Sequence, residues 1–212
     1  RFIKEGASQK LNMMFNFQHM EADCFMIGWV PAPFNLRKLK RVYNNWQTKL
    51  YGIAWNANYI ENHDQPRIIS RYGSEKYRVE SGKMLATMYI CQSGTPFIYQ
   101  GQEIGMLNIK LPEIDMYADI QTRDTYKLFR KLLFPHSVPM KIATRASRDN
   151  ARTPIQWSAE KNAGFTTAEK PWFYVNPNYT DINVEAAEKD ENSILNYYRK
   201  LLKFRKENEF CI

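Results

Sequence analysis

The chain is poor in the features that mark disulfide-built, membrane-spanning or phosphate-cradling proteins. It holds three cysteines, Cys24, Cys91 and Cys211. They are odd in number and far apart, and none forms a CxxC pair. That excludes a disulfide framework and a zinc site, and it favours a reducing compartment such as the cytoplasm. No apolar run approaches the ~20 residues that cross a bilayer. No GxxxxGK[ST] phosphate loop occurs, and no segment is repetitive or of low complexity. The opening residues, Arg1-Phe2-Ile3-Lys4-Glu5, carry neither an initiator Met nor a signal-peptide pattern and read as a chain entered midway. The closing residues, Glu209-Phe210-Cys211-Ile212, stop where a further strand could begin.

What is present describes an ordinary globular chain. Hydrophobic residues make up 44% of the 212 and charged residues 25%, enough for one domain with a core and not the composition of a disordered chain. The formal charge is +8, but Lys and Arg are dispersed. Their densest run, Arg37-Lys38-Leu39-Lys40-Arg41, falls on an amphipathic pattern and reads as a solvated helix face. Neither nucleic acid nor a membrane is therefore expected as a partner. Aromatics reach 14%. Their ring faces suit stacking on sugars, and equally a large aromatic core.

Three short apolar runs read as buried strands: Asn12 to Phe17, Asn56 to Ile60 and Thr95 to Tyr99. Between them lie helical stripes. One is Leu36, Leu39, Tyr43, Trp46 and Leu50, with Asn35 as N-cap. The next is Met84, Leu85, Met88 and Cys91, ended by Gly94-Thr95-Pro96. Alternating strands and helices predict a parallel sheet with helices on its face. The strand starts lie 44 and 39 residues apart, longer than the ~31 per unit of a typical β/α barrel. After Tyr99 we expect a helix near Met116 to Met140, interrupted by Pro135 and Pro139. A Pro-, Asn- and Thr-rich loop follows from Arg152 to Glu185, of a length that is usually functional. A final helix carries Ile194, Leu195, Tyr198, Leu201 and Leu202 on one face, with Asp190 or Asn192 as cap. Three strands cannot close a barrel, so an unpaired edge is expected on the N-terminal side.

The informative run is Asn58-Tyr59-Ile60-Glu61-Asn62-His63-Asp64-Gln65-Pro66-Arg67. An apolar strand ends in ionisable residues, where parallel β/α folds build active sites. From the residues alone it is either such a rim or a polar strand-to-helix cap. Asp64 could act as nucleophile, base or fixed charge, His63 as a hydrogen-bond donor, and Arg67 as the holder of a carboxylate. Strand alternation turns Glu61 to the opposite side from Asn62, so Glu61 is given no catalytic role.

Asn62 through Arg67 resembles the region after barrel strand seven in glycoside hydrolase family 13, the α-amylase family. Trp55 through Gly73 is similar to its oligo-1,6-glucosidase and α-glucosidase branch. Three further stretches agree in order. They are Gly94 through Met106, the signature Arg148-Asp149-Asn150-Ala151-Arg152-Thr153-Pro154-Ile155-Gln156-Trp157 with Asn162 through Phe165, and Trp172 through Val184.

The resemblance implies that residues 1–212 are the C-terminal portion of a catalytic (β/α)8 TIM barrel, an α/β fold, holding strands six to eight and the long loop after strand eight. It implies a retaining α-glucosidase with an Asp nucleophile after strand four and a Glu acid/base after strand five, both expected before Arg1. It maps the third carboxylate, the transition-state stabiliser, onto Asp64, and places His63 and Arg152 on the substrate glucose. Arg67 would orient strand-end groups. Phe15 and Phe17, with His19 beside them, would line the leaving-group side or serve the core. Glu103 would support the site or structure its loop. His136 would be a surface residue. The implied chemistry needs no cofactor and no metal in this segment. The implied substrate is a short oligosaccharide of isomaltose or maltose type. Trehalose-6-phosphate hydrolase, other glucosidases of the family and a non-catalytic amylase-fold transporter subunit are the alternatives, and the 212-residue chain alone is expected to be inactive.

Overall fold

The computed structural model describes residues 11–25 and 30–208; both chain ends discussed above and Cys211 lie outside them. Three parallel strands form a sheet in chain order: β1 (Met13–Met14), β2 (Trp55–Asn58) and β3 (Thr95–Pro96). Met13 pairs with Trp55, and Ala57 with Thr95. All three are shorter than the apolar runs predict. Phe15 and Phe17, and likewise Tyr59, Ile60 and Phe97 through Tyr99, lie beyond the ladder in the strand-end loops, which is where a parallel sheet places its functional groups.

The first crossover is α1 (Leu36–Leu50), whose N-cap Asn35 accepts from the Lys38 N–H at 2.9 Å, as expected. The second uses a short α2 (Ile68–Tyr72) and then α3 (Arg78–Ile90). Gly94 admits the turn into β3. Its φ is +127°, and a Cβ there would meet the Asn56 carbonyl oxygen at 2.5 Å, so a side chain is excluded.

Beyond β3 the single interrupted helix expected near 116–140 is instead two helices, α4 (Ile120–Lys131) and α5 (Ser137–Ala146). Pro135 lies in the break. Pro139 does not interrupt anything: it is in the first turn of α5, where no N–H is required. The loop up to Glu185 is ordered through short 3-10 turns, and its end winds into α6 (Val184–Lys189), which the sequence reading did not anticipate. The final helix α7 (Ile194–Glu207) is capped by Ser193, not by Asp190 or Asn192; the Ser193 oxygen accepts from the Asn196 N–H at 3.1 Å.

The main core joins the loop after β2 to α1, α3 and α7 through Leu39, Tyr59, Ile60, Leu85, Tyr89, Ile90, Ile194, Tyr198 and Leu201. A second cluster, Ile109, Leu111, Tyr117, Ala143 and Phe173, holds the post-β3 insertion together. Among the described residues no helix is long and apolar enough to cross a membrane.

Candidate active site

The loop after β2 makes a tight turn. Asn62 Oδ1 accepts the Asp64 N–H at 2.8 Å, and its carbonyl accepts the Gln65 N–H at 3.2 Å. This self-contained turn leaves the Asp64 carboxylate 44% exposed and the His63 ring 72% exposed. Opposite them stands the turn Arg148 to Ala151. Ser147 caps it, accepting from the Asp149 N–H at 3.2 Å. Asp149 and Asn150 point inward and are buried. Asp149 Oδ2 accepts the Ala118 and Asp119 N–H groups at 2.7 and 3.0 Å. Asn150 accepts the Ile109 N–H and donates to the Thr144 carbonyl, both at 3.0 Å. Two anchored inward residues thus fix the two arginines that flank them.

Both arginines converge on Asp64. Arg152 Nη2 donates to Oδ1 at 2.9 Å, and its Nε donates to the His63 carbonyl at 3.1 Å. Arg148 Nη1 lies 3.7 Å from the same oxygen, while His63 Nε2 is 3.3 Å from Oδ2. Arg148 also grips Asp119 at 2.5 and 2.9 Å. Burial alone would raise the Asp119 carboxyl, but bonds from Arg148 and Thr122 outweigh it and hold the pKa down. Asp119 in turn raises the Arg148 guanidinium. An ion pair as exposed as Arg152–Asp64 contributes about 0–1 kcal/mol to folding. Its consequence is positional: a carboxylate pinned by donors at an open surface.

Glu61, three residues away, has the opposite fate. Its carboxylate accepts Arg67 Nη1 at 3.0 Å and the Ile68 N–H at 2.8 Å, with both side chains at most 2% exposed. Complete burial pushes its pKa up, opposed by Arg67. Arg67 also donates to the Gln100 carbonyl at 2.8 Å and so ties the end of β2 to the loop after β3.

The structure therefore brings His63, Asp64 and Arg152 together. It keeps Arg67 behind them, and it places half-buried Glu103, its carboxyl raised by burial, in the electrostatic reach of Arg67. Phe15 and Phe17 are about half exposed and pack edge-on against Tyr59, and Phe15 also against Phe97; neither makes a ring contact with the Asp64 group. His136 is exposed, with Nδ1 2.7 Å from the Tyr126 hydroxyl.

Sequence reasoning quoted Arg148 without assigning it a role. A second arginine four residues before Arg152 in the same signature was the available signal. A cavity of about 290 Å³ adjoins the site, lined by Asp64, Gln65, Arg71, Asp119 and Arg148 among others. Among the described residues no group of three or more His, Cys, Asp or Glu could hold a metal ion.

Residues 2–212 match the family "Alpha amylase, catalytic domain". The oligo-1,6-glucosidase of Parageobacillus thermoglucosidasius is 49% identical over 212 residues, covering 98% of this chain and 37% of that protein. The crystal structure of Bacillus licheniformis trehalose-6-phosphate hydrolase superposes with a TM-score of 0.90 at 45% identity, covering 96% of this chain and 37% of that one. Isomaltulose synthase from Klebsiella sp. LX3 superposes at 0.92 with 33% identity, covering 100% of this chain and 38% of that one. The chain thus spans somewhat over a third of the length of these relatives. The family's catalytic domain is a (β/α)8 barrel, and the parallel sheet with its helices is part of one. By the family match along almost its whole length and by near half identity to oligo-1,6-glucosidases, this chain belongs to the α-amylase family of glycoside hydrolases.

Proposed function

We propose that residues 1–212 supply strands six, seven and eight, as β1, β2 and β3, to the catalytic barrel of a cytoplasmic, retaining α-glucosidase. The enzyme releases glucose from the non-reducing end of short oligosaccharides, with α-1,6 bonds preferred and α-1,4 bonds also accepted. The observation that carries this reading is the Asp64 carboxylate, held at 2.9 Å by Arg152 beside His63 at the C-terminal end of β2.

In this reading Asp64 accepts hydrogen bonds from two hydroxyls of the glucose being cleaved. Positive character grows at the anomeric carbon as the ring flattens toward an oxocarbenium ion. Bonds to a carboxylate strengthen with that charge, so they lower the barrier instead of only binding substrate. His63 donates to the same ring, and the forked guanidinium of Arg152 reaches two oxygens at once. Arg67 and Glu103 support the loops, and Phe15 and Phe17 pack on Tyr59 of the core beneath the strand ends. Retention requires two further carboxyl groups ~5–5.5 Å apart across the scissile bond. We assign those to strands four and five, outside this chain, so the 212 residues alone are predicted not to turn over. No cofactor enters the chemistry.

A second reading, trehalose-6-phosphate hydrolase, is favoured by the TM-score of 0.90 and 45% identity to that enzyme from Bacillus licheniformis. Assay of the full-length protein on isomaltose, maltose and phosphorylated trehalose decides between them. Glucose release fastest from isomaltose supports the first reading. Preference for the phosphorylated disaccharide supports the second, and inertness toward all three sinks both.

A further inference from the structure

The cavity beside Asp64 has one wall that the proposed mechanism does not use. His63 and Arg152 lie outside it, whereas Gln65, Arg71, Asp119 and Arg148 line it. With the ring being cleaved held against His63 and Arg152 in the glucosidase reading, this cavity on the Gln65 side of Asp64 is the space open to what leaves.

Gln65 is held there in one orientation by Arg71. That guanidinium is buried, with its side chain 5% exposed. Its Nε donates to both oxygens of Asp23 at 2.9 and 3.0 Å, its Nη2 donates to Asp23 Oδ1 at 2.7 Å and to the Met20 carbonyl, and its Nη1 donates to Gln65 Oε1 at 2.6 Å. Arginine donates and never accepts. Only the oxygen of the Gln65 carboxamide can face it, so the two N–H donors of Nε2 are left on the side away from Arg71. Asp23 is itself fixed from a second direction by Arg145 Nη2 at 3.4 Å. The strut from α5 through Asp23 and Arg71 to Gln65 joins the loops after all three strands, and it ends one residue from the catalytic carboxylate.

We propose that Gln65 is a specificity-determining contact to the leaving sugar, donating Nε2–H to one of its hydroxyl oxygens, and that Arg71 is the positioning residue that selects this donor face. This rests on the glucosidase reading of Asp64 and adds to it the group that recognises the departing residue.

The test compares, in the full-length protein, the disaccharide cleaved fastest with an aryl α-glucoside whose leaving group carries no hydroxyl. The measured quantity is the ratio of their kcat/KM values. Gln65→Glu keeps an acceptor for Arg71 but turns the donor face into an acceptor; Gln65→Leu removes both. Loss of one such hydrogen bond lowers the ratio about tenfold in each variant. Arg71→Lys, which cannot hold Asp23 and Gln65 together, lowers it as well. Should that variant fail to fold, Gln65→Glu carries the test alone. A ratio unchanged in the Gln65 variants, whatever happens to the absolute rates, overturns the proposal. A wild-type protein that cleaves neither substrate overturns the glucosidase reading itself, and this inference with it.

Discussion

Two carboxylates three residues apart, Glu61 and Asp64, offer a sharp test, because one is buried in an ion pair and the other stands exposed at the strand end. Glu61→Gln in the full-length protein removes the negative half of a buried pair whose partner, Arg67, is 1% exposed. Removing one member of such a pair costs about 3–5 kcal/mol, since the remaining charge stays out of water without its counterion. The Gln amide oxygen still accepts one of the two bonds that Glu61 receives from Arg67 and the Ile68 N–H, so the lower end, about 3 kcal/mol, is expected. With a urea dependence of about 3 kcal/mol per molar, the unfolding midpoint falls by about 1 M. Tryptophan fluorescence against urea measures it. Turnover at low temperature, where the variant is still folded, stays within about threefold of wild type, because Glu61 touches no substrate. A midpoint that does not move, together with a large fall in kcat, would refute the division of labour and return Glu61 to the chemistry.

Two further predictions concern stability. Burial holds the His19 imidazole pKa down to about 4, from 6.5. The unfolded chain then binds the extra proton first as pH falls, so stability is lost between about pH 6.5 and 4, amounting to about 3 kcal/mol. Urea midpoints from pH 7 to 4 should show that slope, and His19→Gln should flatten it; an unchanged slope counts against the burial argument. Leu133 closes α4 at φ +63° and is 90% exposed as a residue. Leu133→Gly therefore loses little packing and relieves a left-handed leucine, raising stability by about 1 kcal/mol. Thermal unfolding checks this, and a lowered Tm would contradict it.

The polar cluster at the end of β2 was legible as a strand end, because a short apolar run stops at Glu61-Asn62-His63-Asp64; the residues alone left a functional rim and a strand-to-helix cap open, and only the family resemblance chose the rim. The α1 start at Asn35 was legible for a similar local reason. The α7 cap was not, because Asp190, Asn192 and Ser193 all suit the role. In the structure Asp190 Oδ1 takes the Asn192 N–H instead, at 2.8 Å, leaving Ser193 for the helix. Pro139 misled because a proline breaks a helix interior but suits a first turn. The Arg71–Asp23 pair joins residues 48 apart, and Arg148–Asp119 residues 29 apart. Composition and periodicity are silent about such pairs, since folding alone brings them together.

One measurement bears most directly on the assignment: steady-state turnover of Asp64→Asn in the full-length enzyme. Asn keeps size and shape but surrenders the charge. Two charge-assisted bonds, each about 1.5–3 kcal/mol, then weaken in the transition state. We predict that kcat falls about a thousandfold, while KM and the unfolding midpoint change little. A kcat within about tenfold of wild type would mean that this carboxylate does not stabilise the developing cation.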